Sequence, residues 1–474
     1  MTLPAKFVER VLRDLGETEG AALCAALDAE PPVSVRLNPA KTGAETVSAG
    51  PDAGLPVPEA AGLPALAIAG RVPWSRDGRY LAVRPSFTLD PDFHAGAYYV
   101  QEASSQFVGH LLAAVRTEGA RILDLCAAPG GKTTLYASLA GPDGLVVANE
   151  IDRRRASVLA DNVRKWGTGN VAVTTCEPRA LGDFEAWFDV VAVDAPCSGE
   201  GMFRKDPDAR GEWSEGNVKQ CAARQDEILR EAWRALRPGG TLVYSTCTFN
   251  RDEDEGALER MAAWAGDEIA ESEETAVEDA WGIVCGRVGA FRTFRFYPHR
   301  TCGEGFFAAV ARKSFDAGGR VRTPKARRTV FAAVDRKTAG ELARWVRNPG
   351  GMRFAAVADT CYAWYAAQAD AVRTLSEALP VIYSGVALGQ VFKGVLKPDP
   401  ALAFFDGLNR GALPAAELDD EETLRFLRRQ DIAAGGLAEG MNLVCSRGRA
   451  LGFAKRIGAR VNNLYPNSLR IIKQ

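Results

Sequence analysis

Two cysteines sit where an apolar strand runs out. Val190 to Val193 is followed by Asp194-Ala195-Pro196-Cys197-Ser198-Gly199, and Thr241 to Tyr244 by Ser245-Thr246-Cys247. A thiol has an unperturbed pKa of about 8.5 and becomes a strong nucleophile only once ionised. Two thiols on neighbouring strand ends can therefore act on one substrate, one attacking and one assisting release. Acids share the rim. Leu145 to Ala148 ends in Asn149-Glu150-Ile151-Asp152, Val171 to Val173 leads to Glu177, and the run Ile122 to Leu125 contains Asp124. Strands that all deliver polar residues at their carboxyl ends belong to a parallel sheet, whose single rim collects Asp124, Glu150, Glu177, Asp194, Cys197 and Cys247.

The first of these strands leads into Cys126-Ala127-Ala128-Pro129-Gly130-Gly131-Lys132-Thr133-Thr134. The order is strand, glycine turn, helix, and at such a corner the backbone approaches a ligand while the helix N-terminus offers free N–H groups. A Walker A loop would need glycine five residues before Gly131-Lys132-Thr133, where Cys126 stands, and no Gly-x-Gly-x-x-Gly is present. Two readings remain: a turn packed against a nucleoside with an amino-acid tail, which describes S-adenosylmethionine, and a glycine turn without a ligand. Glu150, roughly twenty residues on, is placed to accept hydrogen bonds from ribose hydroxyls.

The motifs LDLCAAPGGKTT, VDAPCSGEGMFRKDP and YSTCTFNRDEDE resemble, in order and spacing, those of the RNA 5-methylcytosine methyltransferases, the NSUN/Fmu superfamily. Gln101-Glu102-Ala103-Ser104-Ser105 is similar to the segment before their first core strand, so the likeness covers residues 98 to 313. The tail GRALGFAKRIGARVNNLYPNSLRI resembles the end of the bacterial RsmF branch, which methylates 16S ribosomal RNA. The resemblance implies a Rossmann-like α/β domain: a mostly parallel sheet of about seven strands with an antiparallel edge hairpin, matched here by Phe291–Phe296 and Gly305–Val310. It implies S-adenosylmethionine as cofactor and RNA, 16S or the small subunit, as partner. Cys247 becomes the nucleophile at cytosine C6, Cys197 the releasing group, and Asp194 the partner of the cytosine amino group or ring nitrogen, its alternative being a loop cap. Lys205 or Arg204 would favour thiolate. The cofactor set is Cys126, Ala127, Ala128, Pro129, Gly130, Gly131, Lys132, Glu150, Arg155, Glu177 and Asp194, with Glu177 near the adenine and Lys132 alternatively stabilising the turn. The DNA cytosine methyltransferases attack with the proline-cysteine residue, which would make Cys197 the nucleophile, but they lack the threonine-cysteine motif. A tRNA-directed enzyme and a non-catalytic ribosome-assembly factor are the other functions left open.

A chain of 474 residues exceeds one core and predicts about two to four domains. Residues 1–97 read as an accessory α+β domain, 98–313 as the catalytic domain, 314–384 as a linker and small α/β domain, and 385–474 as a PUA-like RNA-binding region. Two short helices are expected in residues 5 to 27, then a strand Val33–Leu37 whose Arg36-x-Asn38-Pro39 resembles the family's N-terminal domain. RNA contact is the family reading for Arg36, and a surface-facing strand the other. Gly50 to Gly70 reads as loops. The acidic run from Asp252-Glu253-Asp254-Glu255 to Asp279 reads as a solvated helix face. Arg312 to Arg328, with seven basic residues and one acid, reads as a linker able to touch phosphate. The last thirty residues carry Arg447, Arg449, Lys455, Arg456, Arg460, Arg470 and Lys473 and no acid, which suits RNA binding or a solvated basic face on an all-β cap. A net charge of −2 excludes bulk electrostatic coating of nucleic acid. Ten cysteines without a Cys-x-x-Cys pair and three histidines argue against a disulfide framework and a metal site. No long apolar run suggests a leader or membrane span. A cytoplasmic monomer is expected.

Overall fold

The computed structural model describes residues 2–43 and 63–472. Most of the stretch from Gly50 to Gly70, and Lys473, lie outside the described residues. The centre is a ten-stranded sheet. Its middle is β1 (Arg121–Asp124), β2 (Leu145–Asn149), β3 (Val171–Thr174), β4 (Phe188–Asp194), β5 (Leu236–Thr246), β6 (Phe291–Phe296) and β7 (Phe306–Lys313), in the spatial order β6-β7-β5-β4-β1-β2-β3. The first five are mutually parallel, and β6 and β7 form the expected antiparallel hairpin against β5. Strand order reverses at β1, which opens a crevice at the carboxyl rim there. Every residue of β2 and β3 is buried, as continuous apolar runs are in a parallel sheet covered on both faces.

Three strands extend this sheet. Val284–Val288 joins β6, Ile269–Ala270 joins β7, and Val381–Ser384 joins β3 antiparallel. The segment after residue 313 is thus partly built into the catalytic sheet. Its basic stretch is held down as well: Arg322 N donates to Glu185 O, Arg327 N to Glu377 O, and Arg328 Nη2 to Leu379 O. A separate five-stranded sheet runs from Ala332–Ala333 to Val395–Pro398, and a four-stranded one from Ala415–Glu417 to Arg460–Asn463. Gly385 lies between a strand of the catalytic sheet and a strand of the five-stranded one.

Two helices precede the first strand, α1 (Ala5–Leu15) and α2 (Glu17–Ala26), parted by Gly16 at φ 81°. Their apolar stripe, Phe7, Val11, Leu23 and Leu27, packs on Phe203, Phe249 and Tyr297 of the catalytic domain. Val33–Leu37 pairs with Gly78–Leu81 and Tyr98–Tyr99. Both sequence readings put Arg36 at the surface, and here the structure corrects them. Arg36 is 3% exposed, its guanidinium donating to Gln101 Oε1 (2.8 Å), Gly131 O (3.0 Å) and Thr134 Oγ1 (2.6 Å) over the Trp166 ring. The strand is buried almost throughout, and a planar fork of donors is what lets an arginine be buried there.

The basic C-terminus is likewise partly engaged. Arg447 Nη1 lies 2.9 Å from Asp92 Oδ2 and 3.3 Å from Asp90 Oδ1, and Arg449 Nη1 2.8 Å from Asp92 Oδ1. These pairs clamp the terminal sheet to the N-terminal region.

Candidate active site

The glycine corner is shaped by packing from beneath. Gly130 adopts φ +113°, and a Cβ there would meet Leu159 Cδ1 at 3.0 Å, so only glycine fits. The Pro129 carbonyl accepts from Tyr99 Oη and from Asn162 Nδ2, and the Ala128 carbonyl from Arg155 Nη2 at 3.0 Å. The Ala128–Pro129 peptide is cis. Helix α3 (Gly131–Ala140) starts directly after the turn. Helix α4 (Arg153–Trp166) is capped by Asp152, whose Oδ1 accepts from Arg154 N and Arg155 N.

Three carboxylates line the crevice. Asp124, 1% exposed, accepts from Thr133 Oγ1 at 2.6 Å; burial pushes its pKa up to about 7, with the Thr133 bond pulling the other way. Glu150, 4% exposed, accepts from Asp152 N at 3.0 Å and faces Arg155 Nη1 at 3.3 Å. Asp194 Oδ1 accepts from Ser245 Oγ at 2.8 Å, and Lys132 Nζ lies 2.8 Å from its Oδ2. Burial disfavours the Lys132 charge, but Asp194 outweighs it, with Asp124 and the Cys247 sulfur adding to the effect, so this ammonium is held more firmly than usual. Lys132 therefore serves the carboxylate across the crevice rather than the turn. Burial pushes the Cys126 thiol far up, so it stays neutral.

Beside this cluster the two cysteines meet. β4 and β5 run parallel with Asp194 opposite Ser245, which carries both following loops to the same place. Cys197 Sγ and Cys247 Sγ are 3.2 Å apart. The hydrogen bond to Cys247, then burial, push the Cys197 thiol well up, so Cys197 keeps its proton. Close backbone approach is needed: a Cβ on Gly201 would stand 2.8 Å from Cys247 O and 2.5 Å from Gly305 O.

The structure brings together Asp124, Cys126, Ala127, Ala128, Pro129, Gly130, Gly131, Lys132, Glu150, Arg155, Asp194, Cys197 and Cys247 on one rim. Glu177 is exposed at the start of the helix Pro178–Gly182. Lys205 is exposed, and Arg204 is committed to Glu304 at 3.0 Å; the cation that feels the Cys247 sulfur is Lys132. Sequence reasoning missed Glu253. Far from lying on a solvated face, Glu253 and Asp254 are fully buried. Asp254 accepts from Thr246 Oγ1 (2.6 Å) and pairs with Arg295 (3.0 Å). Glu253 takes Ser198 N (2.9 Å), Ser198 Oγ and Gln225 Nε2 (3.1 Å). The available signal was position, since both acids follow Cys247 within one motif and precede helix α5 (Glu255–Ala265).

The crevice fits S-adenosylmethionine. Three acids against Lys132 and Arg155 make a rim suited to a ligand carrying a sulfonium, an ammonium and ribose hydroxyls.

Three family models match successive parts of the chain. Residues 3–103 match the model of the N-terminal domain of 16S rRNA methyltransferase RsmF, residues 111–312 that of 16S rRNA methyltransferase RsmB/F, and residues 414–471 that of the methyltransferase RsmF PUA domain. Ribosomal RNA small subunit methyltransferase F of Shewanella loihica is 32% identical over 418 residues, covering 84% of this chain and 83% of that protein. The chain belongs to this family. The Escherichia coli O81 member is 32% identical over 424 residues, with 84% of each chain covered. Among solved structures, a methyltransferase homolog from Pyrococcus horikoshii is 27% identical, with a TM-score of 0.52 over 65% of this chain and 94% of that one. NSun6 from Pyrococcus horikoshii with SFG, 22% identical at a TM-score of 0.51 over 65% of this chain and 98% of that one, shares the fold. The protein is an S-adenosylmethionine-dependent RNA methyltransferase with a PUA domain at its C-terminal end. Among the described residues no helix is long and apolar enough to cross a membrane.

Proposed function

We propose that this protein methylates C5 of a cytosine in 16S ribosomal RNA, through a covalent adduct, as a monomer in the cytoplasm. The observation that carries the reading is the 3.2 Å approach of the Cys197 and Cys247 sulfurs beside the Lys132–Asp194 pair. Cytosine C5 is too weak a nucleophile to be methylated unaided. Cys247 thiolate adds to C6, forming an S–C6 bond and moving an electron pair onto C5. The backbone of Ala127 to Gly131, with Glu150 and Arg155, holds the cofactor. When bound there, S-adenosylmethionine supplies the electrophilic methyl group that C5 accepts. Asp194, steadied by Lys132 and Ser245, hydrogen-bonds the cytosine amino group or ring nitrogen and stabilises the charge built up during attack. Once Cys247 is bonded to carbon, Cys197 gives up its own proton to solvent, and its thiolate takes the C5 proton. Elimination then restores the C5–C6 double bond and releases Cys247.

The cytosine has to leave its stack to reach both sulfurs, which suits a loop or single-stranded target held by the flanking domains. The test is tritium transfer from methyl-labelled cofactor to naked 16S RNA, assembled small subunits and tRNA, run with both cysteine variants. Incorporation into the 16S substrates is expected, with Cys197→Ala trapped as a denaturant-resistant RNA adduct and Cys247→Ala forming none. The reverse trapping pattern would make Cys197 the attacking thiol, incorporation only into tRNA would change the substrate, and no incorporation anywhere would leave a binding role.

A further inference from the structure

The buried carboxylate of Glu253 has no place in the chemistry above, yet it touches the chain on the far side of Cys197. Both of its oxygens are taken by donors from that loop. Ser198, the residue after Cys197, donates its N–H at 2.9 Å and also its hydroxyl. Gln225 Nε2 donates to Glu253 at 3.1 Å and to the Pro196 carbonyl, the residue before Cys197, at 3.0 Å. The loop is therefore gripped on both sides of the thiol. Ser198 Oγ also stands 3.0 Å from Thr248 Oγ1, and Thr248 is the residue after Cys247. Tyr244 Oη, on β5, fixes Glu253 through its carbonyl at 2.6 Å.

Every one of these side chains is buried: Glu253, Thr248 and Gln225 at 0% and Ser198 at 7% exposure. A carboxyl group with no cation among these partners is costly to bury. A side chain whose oxygens take two donors from the adjacent loop and a third from Gln225 gives that burial a structural reason.

We propose that Glu253, acting through Ser198 and Thr248, is a positioning residue that latches the Cys197 loop to the Cys247 loop and so governs release of the RNA adduct rather than its formation. The inference rests on the assignment of Cys247 as the attacking thiol. Cys247 sits on the end of β5, whose hydrogen bonds to β4 and β7 hold it independently of the latch. Cys197 lies in a loop beyond β4 that the latch ties from both flanks. Slackening the latch should then leave attack intact and misplace the group that takes the C5 proton. In Glu253→Gln, the amide oxygen can still accept from Ser198 N and Gln225, and its NH₂ can donate to Ser198 Oγ, which keeps its bond to Thr248. The latch is restored without the charge.

The experiment uses the full-length enzyme with 16S RNA and measures two quantities: the single-turnover rate of methyl transfer and the steady-state fraction of protein in a denaturant-resistant RNA adduct. For Glu253→Ala and for Thr248→Val, which removes only the bridging hydroxyl, methyl transfer should stay within about threefold of wild type. The adduct fraction should rise about fivefold or more as kcat falls in proportion. Glu253→Gln should return both quantities towards wild type, which a cavity effect alone would not do. Methyl transfer falling in step with kcat, without adduct, would overturn the latch. So would an adduct fraction unchanged in Thr248→Val, the variant least able to disturb folding. A Cys197→Ala control that traps no adduct would instead overturn the underlying reading of Cys247.

Discussion

Replacing Arg36 with methionine separates a cofactor-corner role from an RNA-contact role. The guanidinium donates three hydrogen bonds, at 2.8, 3.0 and 2.6 Å, to Gln101, Gly131 and Thr134, and lies 4.4 Å from the Trp166 ring centroid. Burial lowers its pKa to about 10, so it is charged at neutral pH. Each charge-assisted hydrogen bond contributes about 1.5–3 kcal/mol, while removing one desolvated charge returns several kcal/mol. The balance predicts a loss of about 3 kcal/mol, because the Gly131 carbonyl and Gln101 lose a buried partner as well. Arg36→Lys should resemble the methionine variant, since an ammonium cannot reproduce the planar fork. Urea unfolding followed by tryptophan fluorescence reads the stability, with Trp166 as a probe beneath the missing group. If about half of the loss falls on the turn at Gly131, cofactor affinity by calorimetry weakens about tenfold, with RNA affinity unchanged. Full stability and cofactor affinity combined with lost RNA binding would refute the reasoning and restore Arg36 as a nucleic-acid contact.

Asp124 gives a prediction in pH. Its folded pKa of about 7 lies above the ordinary 3.8, so the folded state holds the proton more tightly. Its favourable contribution is full below about pH 4, is lost as pH rises towards 7, and amounts to about 4 kcal/mol across that window. Asp124→Asn should therefore gain melting temperature relative to wild type as pH goes from 4.5 to 7.5 in ligand-free protein, and a constant difference would refute this. At the other end of the molecule, Arg447→Ala with Arg449→Ala leaves Asp92, 1% exposed, without its cationic partners. Breaking such a pair costs about 3–5 kcal/mol, and limited proteolysis should cut before Ala415–Glu417 at least tenfold faster, with an unchanged rate as the refuting result.

Elements whose pattern and burial coincide were legible in the sequence. β2 and β3 are apolar up to the polar residue that ends each because both faces are covered, and β6 and β7 pair as the hairpin their sequence suggests, although Val284–Val288 and not the hairpin forms the sheet edge. The pairing of Cys197 with Cys247 was legible from the two cysteine motifs, because the fold they resemble sets strands four and five side by side, as they are here. What stayed hidden were charged residues that the fold buries. Arg36, Glu253 and Asp254 have the composition of surface positions, and nothing local separates them from Asp252, which is exposed. Each is buried by a partner remote in sequence: Arg36 by Gly131 and Thr134, Glu253 by Ser198 and Gln225, Asp254 by Arg295. Two of the three grip a loop that carries site residues, the glycine corner in one case and the Cys197 loop in the other. Burying charge is expensive and is retained where it fixes one geometry against alternatives. That is why the residues hardest to read from the sequence lie directly behind those easiest to read: a thiol or glycine announces its chemistry by type, whereas the group that aims it is defined only by what it touches.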